Sequence, residues 1–366
     1  MERLYPQLIT DALSTVRYPG NGKNIVELGM VADDIRIDGS KVSFSLVFQK
    51  PTDPFMRSLV KSAEAAIHTR ISPEVEVTVN TIVPQAAPQK KPALPGVKNI
   101  IGVSSGKGGV GKSTVASNLA VALAREGYKV GLLDADIFGP SVPKMFGLED
   151  AELYMHEVDG RQLIIPAERY GVKVLSIGFL VDKNAPVLWR GSMASNALRQ
   201  LIEEADWGEL DYFLIDMPPG TSDIHLTLVQ TLALTGVVVV TTPQAVALAD
   251  ARKGIAMFTS DKVNVPVLGL VENMAWFTPE KHPDERYYIF GREGGVELAR
   301  EFGVKLLAQI PIVGSICDKG DEGEPIAMSD TITGQAFMHL AHEVIEAVDE
   351  RNSSLPPTVK VDVTKR

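Results

Sequence analysis

The chain carries one cysteine, Cys317, among 366 residues, so no intrachain disulfide can form. No apolar run approaches the roughly 20 residues that a membrane span needs. One of the longest, residues 232–240, is broken by Thr235 and Gly236. No cationic start followed by an apolar stretch marks the N-terminus for export, so the expected address is the cytoplasm, with no membrane partner. Basic charge is in deficit: 36 Lys plus Arg stand against 46 Asp plus Glu, a formal net charge of -10. A broad cationic face for phosphate backbones is disfavoured, and no nucleic-acid partner is expected. The sequence also lacks internal repeats and strongly biased tracts.

What is present is an ordinary globular composition, 45% hydrophobic and 22% charged, with 31 Gly and 23 Pro, in a length that predicts two or three domains. Residues 1–83 read as a small α/β unit. Alternation over 41–48, after a turn at Asp38-Gly39, predicts a half-buried strand. Residues 54–69 predict a helix burying Phe55, Leu59, Ala63 and Ala66 or Ile67, and 75–79 a second alternating strand. Residues 84–96 hold four prolines and almost no bulky apolar groups, the composition of an extended, semi-rigid linker.

From 97 to 350, short apolar runs at 99–103, 130–133, 172–177, 212–215, 237–241, 267–271 and 305–310 alternate with helical patterns. Strands that are apolar throughout need both sheet faces covered, so the expected fold is α/β, a doubly wound and mostly parallel sheet. Ligands then sit at the carboxyl ends of the strands. A last helix over 333–349 presents Phe337, Leu340, Val344, Ile345 and Val348 on one face. Residues 351–366 are polar, contain a proline pair, and read as a flexible tail.

Directly after the strand at 99–103 comes Ser104-Ser105-Gly106-Lys107-Gly108-Gly109-Val110-Gly111-Lys112-Ser113-Thr114, then a helical pattern through Ala116, Leu119, Ala120 and Leu123. This is the phosphate-loop pattern in the strand–loop–helix context it requires. Glycines let the loop turn its backbone N–H groups inward onto phosphate oxygens, and the helix N-terminus adds partial positive charge there. Lys112 is placed to reach the β- and γ-phosphates, and the Ser113 hydroxyl to ligate Mg²⁺.

Two further strands end in acids. The run at 130–133 leads into Asp134-Ala135-Asp136, and that at 212–215 into Asp216. Carboxylates presented this way beside a phosphate loop orient an attacking water or hold a metal-bound one, although paired aspartates also cap strand-to-loop turns. After Asp216 comes Met217-Pro218-Pro219-Gly220-Thr221-Ser222-Asp223, in which prolines stiffen a loop and Gly220 permits close approach to a γ-phosphate.

Residues 107–113 resemble the deviant phosphate loop of the MinD, ParA and nitrogenase iron protein class. Residues 134–141, Trp189-Arg190-Gly191 and the segment 211–223 with its Pro-Pro-Gly-Thr core resemble the Mrp/NBP35 family of iron–sulfur cluster carrier ATPases, from about residue 97 to the final helix. The N-terminal unit resembles the MIP18-like domain fused to bacterial members, through residues 26–31 and Pro51-Thr52-Asp53-Pro54. The resemblance implies ATP and Mg²⁺ as cofactors, and a homodimer in which Lys107 reaches the partner's nucleotide as an arginine finger does. It implies catalytic roles for Lys107, Lys112 and Asp136, a nucleotide cradle from Gly106 to Thr114, and a magnesium shell of Ser113, Asp134 and Asp216. Asn273, in Glu272-Asn273-Met274, becomes an adenine contact flanked by Pro311, since an amide both donates and accepts. The implied function is ATP-driven transfer of iron–sulfur clusters to apoprotein clients or assembly partners.

Members of that family usually carry Cys-x-x-Cys after the Asn-Met pair, giving a dimer four thiolates for a bridging cluster. Residues 275–288 contain none here, and Asp53 stands where relatives often have cysteine. A homodimer offers two Cys317 thiolates. A lone cysteine is ordinarily a packing residue, and His282 lies among charged residues without zinc-ligand spacing. Three readings stay open: Cys317 holds a cluster with His282 or external thiols, a partner supplies cysteines, or the chain is a cluster-independent dimeric switch or scaffold like MinD or ParA. A MinD-like membrane role needs a terminal amphipathic helix, which the two prolines in residues 355–360 prevent.

Overall fold

The computed structural model of the chain describes residues 4–19, 22–48, 53, 55–82, 93–137, 139–158, 160–180, 191–279, 281, 282 and 284–361. Much of the linker reading, together with Pro51, Thr52, Pro54, Phe138, Trp189 and Arg190, lies outside them. The chain divides into two units, Met1–Lys90 and Lys91–Arg366.

The first unit contains α1 (Pro6–Leu13), β1 (Arg36–Asp38), β2 (Lys41–Val47), α2 (Met56–Arg70) and β3 (Glu76–Ile82). β2 lies between an antiparallel β1 and a parallel β3. α2 buries Leu59, Ala63 and Ile67, a one-turn repeat that forms a single stripe against Phe44, Leu46 and Phe48. α1 was not foreseen: its eight residues are too few for a clear periodic signal, yet proline at its start and buried Ile9, Ala12 and Leu13 fix it. Asp53 has a structural role here. It accepts hydrogen bonds from the Tyr18 hydroxyl and from the Phe55 N–H, both at 2.9 Å.

The second unit runs β4 (Val97–Ser105), α3 (Lys112–Arg125), β5 (Val130–Asp134), α4 (Val142–Met145), β6 (Tyr154–Val158), β7 (Arg161–Ile165), β8 (Ala167–Arg169), β9 (Val172–Ser176), α5 (Gly191–Glu203), β10 (Leu210–Asp216), α6 (Asp223–Thr231), β11 (Gly236–Thr241), α7 (Ala245–Thr259), β12 (Val267–Phe277), α8 (Gly294–Phe302), β13 (Leu306–Ile312), α9 (Gly314–Asp321) and α10 (Ile332–Ser354). Eight strands form one sheet in the order β13-β12-β11-β4-β10-β5-β9-β8. Each neighbouring pair is parallel except β8 with β9. α3 and α10 cover one face, while α5, α6, α7 and α8 cover the other. β11 is buried at every residue, which is why it reads as a continuous apolar run.

Three features depart from the sequence reading. The antiparallel hairpin β6–β7 stands apart from the main sheet. β12 extends to Phe277, past the expected end at residue 271, through an irregularity at Met274, whose φ is 55°. The segment from Arg351, read as a flexible tail, is helical to Ser354 and then docks. Arg351 Nη2 donates to the Pro356 carbonyl at 2.6 Å, and the Val361 N–H donates to the Val229 carbonyl at 3.1 Å. Backbone bonds to another element hold this polar stretch, and those leave no hydropathy signature.

Trp207 anchors the core beneath α5. It is 2% exposed, meets Phe213 edge-on at 4.6 Å, and its indole N–H donates to the Leu201 carbonyl at 3.1 Å. Trp207→Ala is expected to cost about 3–5 kcal/mol in urea unfolding, whereas Tyr154→Ala on the exposed hairpin is expected to cost less than about 0.5 kcal/mol.

Candidate functional site

β4 sits between β11 and β10, and the chain leaves its carboxyl end through residues 106–111 to enter α3 at Lys112. Two glycines in this loop take positive φ, 81° at Gly109 and 82° at Gly111. A Cβ at Gly111 would strike the Asn273 amide, and one at Gly106 would strike the backbone of Asp250 in α7. α3 has no side-chain N-cap, so its first-turn N–H groups face the loop's concavity without a capping side chain. Val110 is buried beneath the loop, Lys107 is exposed at its mouth, and the Lys107 carbonyl accepts from the Ser105 hydroxyl at 3.0 Å. Ser113 and Thr114 follow Lys112 in the first turn of α3, and Gly108 faces Pro219. The Gly220 N–H donates to the Ser105 carbonyl at 2.8 Å, latching the loop after β10 to the end of β4.

The acids converge because parallel strands end on one edge. Asp216 closes β10 opposite Asp134 of β5, and Asp136 lies two residues further on. Lys112, 6% exposed, places its ammonium 2.6 Å from Asp216 Oδ1, 3.5 Å from Asp136 Oδ2 and 3.3 Å from the Ser113 hydroxyl. Asp134 is fully buried. Its Oδ1 accepts from the Asp136 N–H at 3.1 Å, and its Oδ2 from the Val142 N–H at 3.3 Å and the Ser176 hydroxyl at 3.0 Å. Burial, reinforced by the neighbouring Asp216 charge, raises the Asp134 pKa to about 8. Burial also raises that of Asp216, against the opposing pull of Lys112. Asp216 Oδ2 is buried without a hydrogen-bond partner.

That orphaned oxygen, with an adjacent hydroxyl and a second carboxylate, fits a hard cation that takes oxygen ligands. Mg²⁺ suits it, since this ion keeps several waters and needs only one or two carboxylates besides phosphate oxygens. Among the described residues, no three His, Cys, Asp or Glu form a closed metal cage.

Asn273 ends up against the phosphate loop: its Nδ2 donates to the Val110 carbonyl at 2.8 Å. With Pro311, Thr114, Met145, Ile316 and Cys317 it lines a cavity of about 380 Å³ beside the loop. Cys317 lies on α9 and is exposed, with Sγ 3.8 Å from Asp321 Oδ2. The Asp321 charge raises the thiol's pKa and so disfavours the thiolate that binds metal. His282 is exposed, 3.6 Å from Glu285.

A family model described as NUBPL iron-transfer P-loop NTPase matches residues 96–345, more than half of the chain. The chain belongs to this family. A second model, described as iron-sulfur cluster assembly protein, matches residues 6–79. A Synechocystis protein named iron-sulfur cluster carrier protein is 44% identical over 346 residues, 92% of this chain and 97% of its own. An Aquifex aeolicus protein of the same name is 51% identical over 261 residues, 70% of each chain. A solved nucleotide-binding protein from Archaeoglobus fulgidus, in complex with ADP, is 40% identical with a TM-score of 0.55, covering 64% of this chain and 89% of that one.

In this P-loop NTPase two residues missed in the sequence brace the site. Glu272, fully buried, accepts from the Gly295 N–H at 2.7 Å and from Gln309 Nε2 at 2.5 Å, tying β12, α8 and β13 together immediately before Asn273. Its one visible signal was a charged residue closing an apolar strand. His225 on α6 is buried. Its Nδ1 accepts from the Ser222 N–H at 3.2 Å, which assigns the ring proton to Nε2, and Nε2 is buried without a partner.

Burial pushes the His225 pKa down to about 4 from 6.5. Between those values the unfolded chain's His225 binds a proton that the folded chain's does not, so this group's contribution to stability falls as pH drops from about 6.5 to about 4, while the raised carboxyls Asp134 and Asp216 contribute with the opposite sign. The expected loss is about 3 kcal/mol over that window. His225→Asn, which keeps an acceptor for Ser222, is expected to lose less stability than the unsubstituted protein, by about 3 kcal/mol, between pH 6.5 and pH 4 in urea unfolding. Identical slopes in the two proteins would refute the assignment.

Proposed function

We propose that this chain binds ATP with magnesium, hydrolyses it as a cytoplasmic homodimer, and uses the cycle to carry an iron–sulfur cluster to apoprotein clients. The observation that carries the reading is the buried Lys112 ammonium, held by Asp216 and Asp136 at the mouth of an uncapped helix N-terminus. The names of the Synechocystis and Aquifex relatives support the cargo. Ser113, Asp134 and Asp216 would hold magnesium with the nucleotide, and the ion would supply positive charge for the phosphate oxygens. The N–H groups of the loop from Gly106 to Gly111, with those of Lys112, Ser113 and Thr114, wrap the phosphates. Lys112 turns from its carboxylates toward the γ-phosphate. Asp136, oriented through its N–H by Asp134, positions the attacking water. Lys107, exposed at the loop mouth, is placed to serve the nucleotide of a second copy. The latch from Gly220 to Ser105 gives the 217–222 loop a route by which loss of the γ-phosphate alters its contacts.

One observation favours the cluster-independent switch as a second reading. Cys317 lines the cavity beside the loop, where Asn273 and Pro311 would flank a base, and its thiol is held protonated by Asp321. A nucleotide in that cavity and a cluster on that sulfur would compete for space.

Asp136→Asn is expected to cut phosphate release by about 100-fold or more while retaining ATP binding, and Lys112→Ala to lose both. Turnover equal to that of the unsubstituted protein in both variants would sink the mechanism. For the cargo, anaerobic reconstitution with iron and sulfide followed by absorbance and iron counting separates the readings. Cys317→Ser is expected to lose the cluster if this thiol holds it. Absence of any cluster in the unsubstituted dimer leaves the switch.

A further inference from the structure

β4 ends at the phosphate loop, but where it begins a second cavity of about 390 Å³ opens. Its wall includes the apolar side chains of Leu94, Ile100 and Leu232, and the charged groups among its described lining residues are Lys98, Arg351 and Lys360. Among the described residues that line it none is acidic, in a chain whose net charge is -10. The three cations are not equivalent. Lys98 is held by Asp211 at 2.8 Å. Arg351, 8% exposed, donates through Nη1 to Asn352 Oδ1 at 3.1 Å and through Nη2 to the Pro356 carbonyl at 2.6 Å, but its Nε is buried without a partner. A charged donor held out of water without an acceptor is costly, and an anion against the exposed edge of the guanidinium lowers that cost through its charge without having to reach Nε. The apolar wall beside it favours a hydrocarbon chain over a bare inorganic ion.

We propose that this cavity is a second ligand site, distinct from the nucleotide site, and that it takes a small amphiphilic carboxylate. The carboxylate faces the Arg351 guanidinium and the Lys360 ammonium, and the aliphatic tail lies along Leu94, Ile100 and Leu232. The volume falls at the lower end of the roughly 300–1,000 Å³ of small-molecule sites, which suits a short chain. Arg351 also holds the carbonyl of Pro356, so an occupant braces the docked C-terminal segment and raises the melting temperature.

The test is calorimetric titration of the full chain with octanoate, with 1-octanol and inorganic phosphate as separate probes. Octanoate is expected to saturate one site per chain and to raise the melting temperature, with both other probes weaker by about tenfold or more. Lys360→Glu is expected to weaken octanoate by about tenfold while leaving the melting curve of the unliganded protein unchanged. Arg351→Gln is expected to lose binding, but it also removes a bond to Pro356, so Lys360→Glu is the deciding variant. Absence of octanoate binding, equal binding of 1-octanol or of phosphate, or binding indifferent to Lys360→Glu would each overturn the proposal.

Discussion

The structure depends first on an ammonium group taken out of water. Lys112 lies almost fully buried between Asp216 and Asp136, and removing one partner of such a pair typically costs about 3–5 kcal/mol, because the charge left behind has no solvent to turn to. Its position is over-determined. α3 starts at this residue, Gly111 sets the turn before it, and the two carboxylates come from adjacent parallel strands, Asp216 at the end of β10 and Asp136 two residues past the end of β5. A parallel sheet brings such groups together because every strand of that orientation ends on the same edge.

The balance around Lys112 is incomplete. One ammonium faces several carboxylates, Asp134 is pushed toward its neutral form, and one oxygen of Asp216 has no partner. An additional cation at this point would return both acids to their charged forms, and an anion at the helix N-terminus would draw Lys112 away from them. The arrangement therefore holds an electrostatic mismatch that a bound cation would relieve. Around it, the Glu272 clamp fixes the end of β12 and the bond from Asn273 to Val110 holds the loop against that strand.

The single thiol occupies an unexpected place. Cys317 lines the cavity next to the loop rather than standing apart from it, and the acid one helical turn away makes it a weaker nucleophile and metal ligand. Asp53, at the other position where a cysteine was looked for, already accepts two hydrogen bonds as a structural group. The place of Cys317 beside the loop and the bond from Tyr18 to Asp53 belong to the packing of this chain and could not be read from residue spacing.

By itself the sequence determined the elements whose signal is local. The buried strands of the large sheet are apolar throughout because helices cover both faces, and the phosphate loop is legible because a glycine pattern between a strand and a helix admits few other conformations. The acids at 134, 136 and 216 were visible as charges closing apolar runs. Only the tertiary structure decided what meets across long separations: Lys112 with Asp216, Glu272 with Gln309 and Gly295, Asn273 with the loop, and the C-terminal segment with Val229. Those pairings depend on strand order and crossover, which place residues distant in the chain at hydrogen-bonding distance. A side chain's own neighbours in sequence carry no record of that distance.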